Sequence, residues 1–148
     1  MGELTAIFLK RAHRGPMDPH PSARCEAGAG LAGNADRGGK RQVTLLSAER
    51  WKEAEAELGA EVDPRARRAN LLTTGIDYLE SRGRVLRIGA VRIAIRGNTR
   101  PCERMDEAFP GLRKALEPDW RAGAYGELLD DGEIRVGDPV EWTGESAP

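Results

Sequence analysis

The sequence predicts a mainly β chain, an antiparallel, barrel-like sheet with a few short peripheral helices. Three observations predict it. About seven short segments with strand-like composition follow one another along the 148 residues. Turn signals join several of them, Gly89-Ala90 and Asp130-Asp131-Gly132 being the clearest. The two or three helical stretches do not alternate with the strands, so parallel βαβ units are not expected and the strands must close on themselves. Length fits one domain. Leu, Ile, Val and Phe supply only 28 residues, a lean core, but 23 basic residues against 24 acidic ones leave a net charge of -1 and no push toward disorder.

Leu4–Lys10 is the first strand, with Thr5, Ile7 and Leu9 alternating with Ala6, Phe8 and Lys10. The next segment, 11–40, is crowded with Gly and Pro and is read as a long functional or mobile loop. Arg41–Leu46 is the second strand. Ser47 offers a side-chain oxygen to cap a helix over Ala48–Leu58, where Trp51, Ala54, Glu55 and Leu58 share helical spacing and Gly59 is the stop. Ala69–Thr74 is a third strand. Val85–Ile88 and Val91–Arg96 form a hairpin, with Val91, Ile93 and Ile95 facing inward. Gly97–Cys102 is a loop, and Glu103–Leu116 holds one or two short helices broken at Pro110-Gly111. Ala124–Leu129 and Glu133–Val136 pair as a second hairpin, and Val140–Trp142 closes the ordered part. Residues 143–148 are small and polar and are expected to fray.

Several function classes are set aside. No apolar run reaches the roughly 18–20 residues of a membrane span. Met1–Lys10 lacks the pattern of a signal peptide. Two cysteines make neither a disulfide framework nor a CxxC zinc site, so a reducing cytoplasm is expected. Balanced charge argues against a general nucleic-acid binder. Arg outnumbers Lys 19 to 4. The abundant Ala, Gly and Pro point to a GC-rich genome as the main cause, so individual arginines must be argued one by one.

Cys102 is the first chemical candidate. It follows Asn98-Thr99-Arg100-Pro101, precedes Glu103-Arg104, and stands where a helix begins. A thiol there, between two arginines, is expected to have a lowered pKa, and a thiolate is a soft ligand for a transition metal. Cys25 lies in the Gly/Pro-rich segment between the cancelling charges of Arg24 and Glu26 and is read as inert. The run Arg65–Asn70 enters the third strand, and alternation places Arg68 and Asn70 on one face, a cation and an amide suited to a phosphate. Gly30–Gly39 could bring backbone N–H groups close to a ligand, with Arg37, Lys40 and Arg41 beside it, although the Lys-Ser/Thr pair of a P-loop is missing. His13 and His20 have no metal-ligand partners at usable spacing and are read as surface residues.

Taken in order, GLAGNADRGGKRQVTLLS, RRANLLTTGIDY, GRVLRIGAVRIAI, the PCERM cysteine loop and RAGAYGELLDDGEIRVGDPV resemble the MOSC domain family. That module is named for the C-terminal part of molybdenum cofactor sulfurase. The match runs from about Leu31 to Val140, and the chain looks like a small stand-alone bacterial member. One MOSC domain over 1–142 is expected, with the loop at 11–40 and the tail at 143–148.

The resemblance implies a β-barrel of the pyruvate-kinase barrel-domain type and binding of the molybdenum cofactor, a molybdopterin whose dithiolene holds the metal and which carries a phosphate. It places molybdenum, or a persulfide sulfur, on Cys102. It places Arg68 and Asn70 at the family's Arg-x-Asn motif near the pterin phosphate, and Asn98, Thr99 and Arg100 along the pocket. Arg41 or Lys40 would assist Arg68. In relatives such as the amidoxime-reducing component, the molybdenum reduces N-hydroxylated compounds, with electrons here expected from a separate electron-transfer protein. An alternative is a sulfur carrier, with Cys102 charged by a separate pyridoxal-phosphate cysteine desulfurase. A third is a non-catalytic binder of a phosphorylated ligand. Many members carry Gly-Asp-x-His where this chain has Gly33-Asn34-Ala35-Asp36, which weakens the reductase expectation and keeps the third alternative open.

Overall fold

The computed structural model describes residues 2–35 and 37–148. In chain order the strands are β1 (Gly2–Lys10), β2 (Met17–His20), β3 (Ser22–Glu26), β4 (Gly30–Leu31), β5 (Val43–Ser47), β6 (Leu71–Thr74), β7 (Arg84–Ile88), β8 (Val91–Asn98), β9 (Ala124–Leu128), β10 (Gly132–Arg135) and β11 (Pro139–Ser146). The α-helices are α1 (Ala48–Leu58), α2 (Glu103–Ala108) and α3 (Leu112–Ala115), with 3-10 turns at Pro64–Arg67 and Pro118–Trp120. The ring β11-β7-β8-β9-β5-β6-β1 closes through the pairing of Gly2 with Val140. The mainly β barrel is therefore the fold, and closure pairs both edges of the seven-strand ring, with β2 added outside it along β1.

The inward side chains Leu4, Ile7, Leu45, Leu71, Leu86, Ile93 and Ile95 fill the barrel. Each contributes roughly 1.5–3 kcal/mol on leaving water, so the lean composition suffices because the aliphatic residues concentrate here. A second cluster lies between the barrel wall and the helices: Leu46 and Trp51 pack with Met105, Leu112 and Leu116. Helix α1 starts as its sequence signals require. Ser47 Oγ accepts from the Arg50 N–H at 3.2 Å, and Gly59 ends the helix in the left-handed region at φ 67°. Among the described residues no helix is long and apolar enough to cross a membrane.

Four expectations need correction. First, segment 11–40 is not a bare loop. β2 pairs along β1, and as the edge strand it tolerates Pro19; β3 and β4 join β10 in a separate three-stranded sheet. Second, the segment at 124–136 is not a hairpin. Asp130 is drawn to Arg92 (Nε to Oδ2 2.9 Å), and Asp131 accepts from the Ala27 N–H at 2.8 Å, which turns β10 out of the barrel onto β3. Third, residues 143–148 do not fray. β11 continues to Ser146, Thr143 Oγ1 donates to the Val85 carbonyl, and the Ala147 N–H donates to the Gly83 carbonyl. Fourth, one parallel pair exists: β5 and β6 run side by side, joined by α1 and the following 3-10 turn. The lack of a repeated strand–helix alternation along the chain excludes a parallel sheet but not this single crossover.

Two buried acids make the fold alkali-sensitive. Burial pushes the Cys25 thiol up to about 12, and it raises the Tyr78 phenol too, against the hydrogen bond Tyr78 shares with Thr73 (2.8 Å). Above its ordinary pKa of 9.0, the unfolded chain's Cys25 sheds a proton that the folded chain retains, so stability falls as pH rises. Cys25 alone should remove roughly 1 kcal/mol per pH unit between about pH 9 and 12. Urea midpoints measured from pH 8 to 10.5 should decline, and Cys25→Ala should make that decline shallower. Equal slopes in both proteins would refute it.

Candidate functional site

Two adjoining cavities of about 300 and 280 Å³ share Lys10, Arg41 and Arg68 in their walls. The first adds Arg67, Arg100, Cys102, Arg104 and Met105; the second adds Asn34, Gln42, Thr44 and Asn70. No carboxylate is among their described lining residues. A wider hollow of about 370 Å³ lies beside Arg50, but that guanidinium is occupied by Asp77 and Glu53, each at 2.8 Å. Hollows lined by Arg84 or Lys52 also contain carboxylates, so the cationic walls with no described carboxylate are those of the first two cavities.

Arg68 reaches this wall by a route that strand alternation did not anticipate. Asp63 caps the 3-10 turn Pro64–Arg67 by accepting the Arg65 N–H at 2.9 Å. The turn ends on Arg68 itself, in the left-handed region at φ 64°. β6 starts only at Leu71, so Arg68 and Asn70 are not alternate residues of a strand. From this turn, Arg68 Nη2 donates to the Gly15 carbonyl at 2.6 Å while the side chain remains on both cavity walls.

Asn70 is buried, and all of its amide hydrogen-bonding positions are used within the protein. Oδ1 accepts from the N–H and the hydroxyl of Thr44, both at 3.1 Å. Nδ2 donates to the Phe8 carbonyl (3.1 Å) and to Asn34 Oδ1 (3.2 Å). Asn34 Oδ1 accepts in turn from the Lys10 N–H at 2.9 Å, and its own amide donates to the Ala35 carbonyl at 2.7 Å. Asn34 thus serves the cavity wall as both donor and acceptor, which a carboxylate could not do. Asp36, the other residue of that pair, lies outside the described residues.

Cys102 is half-buried at the start of α2, in extended backbone, with a free thiol. Buried Met105 anchors the helix behind it. The loop before it is tied down by Thr99, whose hydroxyl donates to the Ala122 carbonyl at 2.7 Å and whose N–H donates to the Gly123 carbonyl at 3.0 Å. The same Ala122 carbonyl accepts Arg67 Nε at 2.7 Å. One backbone oxygen therefore positions the cysteine loop and Arg67 together. Arg67 is only 8% exposed; burial, then the neighbouring Arg41, push its pKa down to about 10, against the attraction of Cys102.

Gly123 makes this anchor possible. Its φ is 102°, and a Cβ there would lie 2.1 Å from the Leu45 carbonyl oxygen. Gly123→Ala should cost about 2–4 kcal/mol through clash and strain. It should also shift the Ala122 carbonyl, and so speed alkylation of Cys102. A denaturant midpoint equal to that of the parent would contradict this.

The structure puts Cys102, Arg68, Arg41 and Arg100 in the wall of one cavity and Asn70 in that of its neighbour, but it does not bring in every candidate. Lys40 is exposed and lines neither cavity, because the turn before β5 points it to solvent. Asn98 lies in β8, paired with Ala124, and Thr99 is buried against Ala122; neither lines a cavity. Thr99 acts by holding the loop. Sequence reading missed Lys10, Arg67, Arg104, Gln42 and Thr44. Arg67 stood in the RARRAN run, yet a charged residue carries no sequence mark of burial. Among the described residues no group of three or more His, Cys, Asp or Glu could hold a metal ion.

A family model described as MOSC domain matches residues 12–141. The fold is similar to the crystal structure of the YuaD protein from Bacillus subtilis, with TM-score 0.79 at 17% identity over 95% of this chain and 94% of that one. It is also similar to YiiM from Geobacillus stearothermophilus, with TM-score 0.78 at 16% identity over 97% and 75%. YiiM from Escherichia coli gives TM-score 0.71 at 15% identity over 97% and 70%. No curated protein matches the chain in sequence.

Proposed function

This chain belongs to the MOSC domain family, and from that premise we propose that its basic cleft binds the molybdenum cofactor and reduces N-hydroxylated compounds. The observation that carries the proposal is the shared cavity of Cys102 with Arg68, Arg41 and Lys10. The donor set fits the group. A thiol supplies a soft metal ligand, and guanidinium forks suit a phosphate. Arg67, buried beside Cys102 with no described carboxylate in the cavity, suits an anionic occupant.

Each residue then has a task. Cys102 would hold the metal. Arg68, with Arg41 and Lys10, would hold the pterin phosphate. Asn70 and Asn34 brace the wall from which Arg68 projects. Thr99 keeps the cysteine loop against Ala122, fixing where the thiol stands. The cofactor, when bound, supplies two-electron chemistry at the metal; the protein supplies orientation and charge. Electrons would come from a separate protein.

Protein loaded with cofactor should reduce an amidoxime to the amidine with reduced viologen as donor. Loaded protein that binds molybdenum but turns over no N-hydroxylated compound would overturn the reductase assignment. A second reading has its own support: Cys102 is half-exposed and its side chain caps no backbone N–H, so it is open to a partner. It could then carry sulfur as a persulfide delivered by a cysteine desulfurase. Incubation with a desulfurase and cysteine should add one sulfur to Cys102 by mass; an unchanged mass would remove that reading.

A further inference from the structure

We infer that Arg67, with Arg100 and Arg104, forms a second anion subsite beside Cys102, separate from that of Arg68, which takes an oxyanion group of a ligand. The group is a phosphate or a carboxylate, carried by the substrate or by a nucleotide extension of the cofactor. The inference rests on the reading of this cleft as the cofactor site.

Arg67 departs from how this chain treats its other enclosed arginines. Arg50 pairs with Asp77 and Glu53, Arg96 with Glu127, and Arg121 with Glu57. Arg67 is more buried than any of these, yet it pairs with no described carboxylate. Its Nε is held by the Ala122 carbonyl, and the residue lines the cavity that holds the thiol, with its two Nη groups not engaged by that carbonyl. Arg41 lines the same cavity as Arg67, so its neighbour there is a second cation. A buried cation with a cationic neighbour is unfavourable until an anion arrives, and a planar guanidinium edge matches the oxygens of phosphate or carboxylate. Arg100 and Arg104 line that cavity and not its neighbour. Arg68 lines both, and the left-handed turn at Arg68 separates its course from that of Arg67.

The test uses cofactor-free protein, neutral iodoacetamide and inorganic phosphate as the probe, with alkylation of Cys102 followed by mass. Phosphate should slow alkylation several-fold, whereas chloride at equal ionic strength should not. Arg67→Met should lose that protection and Arg68→Met should keep it. The double variant Arg100→Met/Arg104→Met, at positions less enclosed than Arg67, should weaken protection even if Arg67→Met fails to fold. Wild-type protein without protection, or protection removed by Arg68→Met alone, overturns the subsite; so does full protection in the double variant. Because the probe is phosphate, a chain that never takes up molybdenum can still pass, and a failure here leaves the molybdenum assignment standing. The mass of pterin released from loaded protein separates the two sources. A nucleotide-extended pterin assigns the subsite to the cofactor's extra phosphate, and a monophosphate assigns it to the substrate.

Discussion

Cys102→Ser is expected to leave the barrel standing while the loaded protein loses its molybdenum and all detectable turnover. The side chain of Cys102 is half-buried, caps nothing, and forms no disulfide, so exchanging sulfur for oxygen should change stability by no more than about 0.5 kcal/mol. Its backbone carbonyl, which accepts the Met105 N–H at 2.9 Å, is unaffected. A serine hydroxyl is a harder and far weaker metal ligand than a thiolate. Pterin should still bind, because Arg68, Arg41 and Lys10 remain in the wall. The pattern to look for is pterin retained, molybdenum and turnover lost, thermal midpoint unchanged. A variant that keeps parental turnover would show that the thiol does not hold the metal. The same variant should gain no sulfur from a desulfurase.

The largest stability effect is expected at Asn70. Replacing it with leucine strands the Thr44 N–H, takes the acceptor from the Thr44 hydroxyl, and removes a donor from the Phe8 carbonyl and from Asn34 Oδ1, which keeps the Lys10 N–H. Each buried group left without a partner costs roughly 1–3 kcal/mol, and partial relaxation brings the total to about 3–5 kcal/mol. That is a large share of the 5–15 kcal/mol typical of a domain. Asn70→Asp keeps an acceptor for Thr44 but loses both donors, so its cost should be intermediate and should grow as the carboxyl ionises. Denaturant midpoints for the two variants rank them. A leucine variant as stable as the parent would return Asn70 to the role of a ligand contact rather than a brace.

The barrel was legible because its signals are local. Period-two alternation in Val91–Arg96, the Gly89 turn, and the Ser47 and Gly59 caps each depend on a few neighbouring residues. What stayed hidden depends on distant partners. The path of β10 is set by Asp130 and Asp131 finding Arg92 and Ala27, residues remote in sequence. The order in β2–β4 was masked by Gly and Pro, which edge strands and small sheets accept. At the site, Cys102 and Arg68 were readable from motif order. Their convergence with Lys10 and Arg67 was not, since it comes from barrel closure and from the single carbonyl of Ala122. Of the 19 arginines, at least nine form ion pairs among the described residues, and Arg41, Arg67, Arg68, Arg100 and Arg104 line one cavity with Cys102.

The most direct measurement is the molybdenum and pterin content of the protein purified from a host that makes the cofactor. The account predicts both, in comparable amounts near one per chain, with Arg68→Met reducing the two together. Protein that carries neither, and that takes up neither when offered free cofactor, would contradict it.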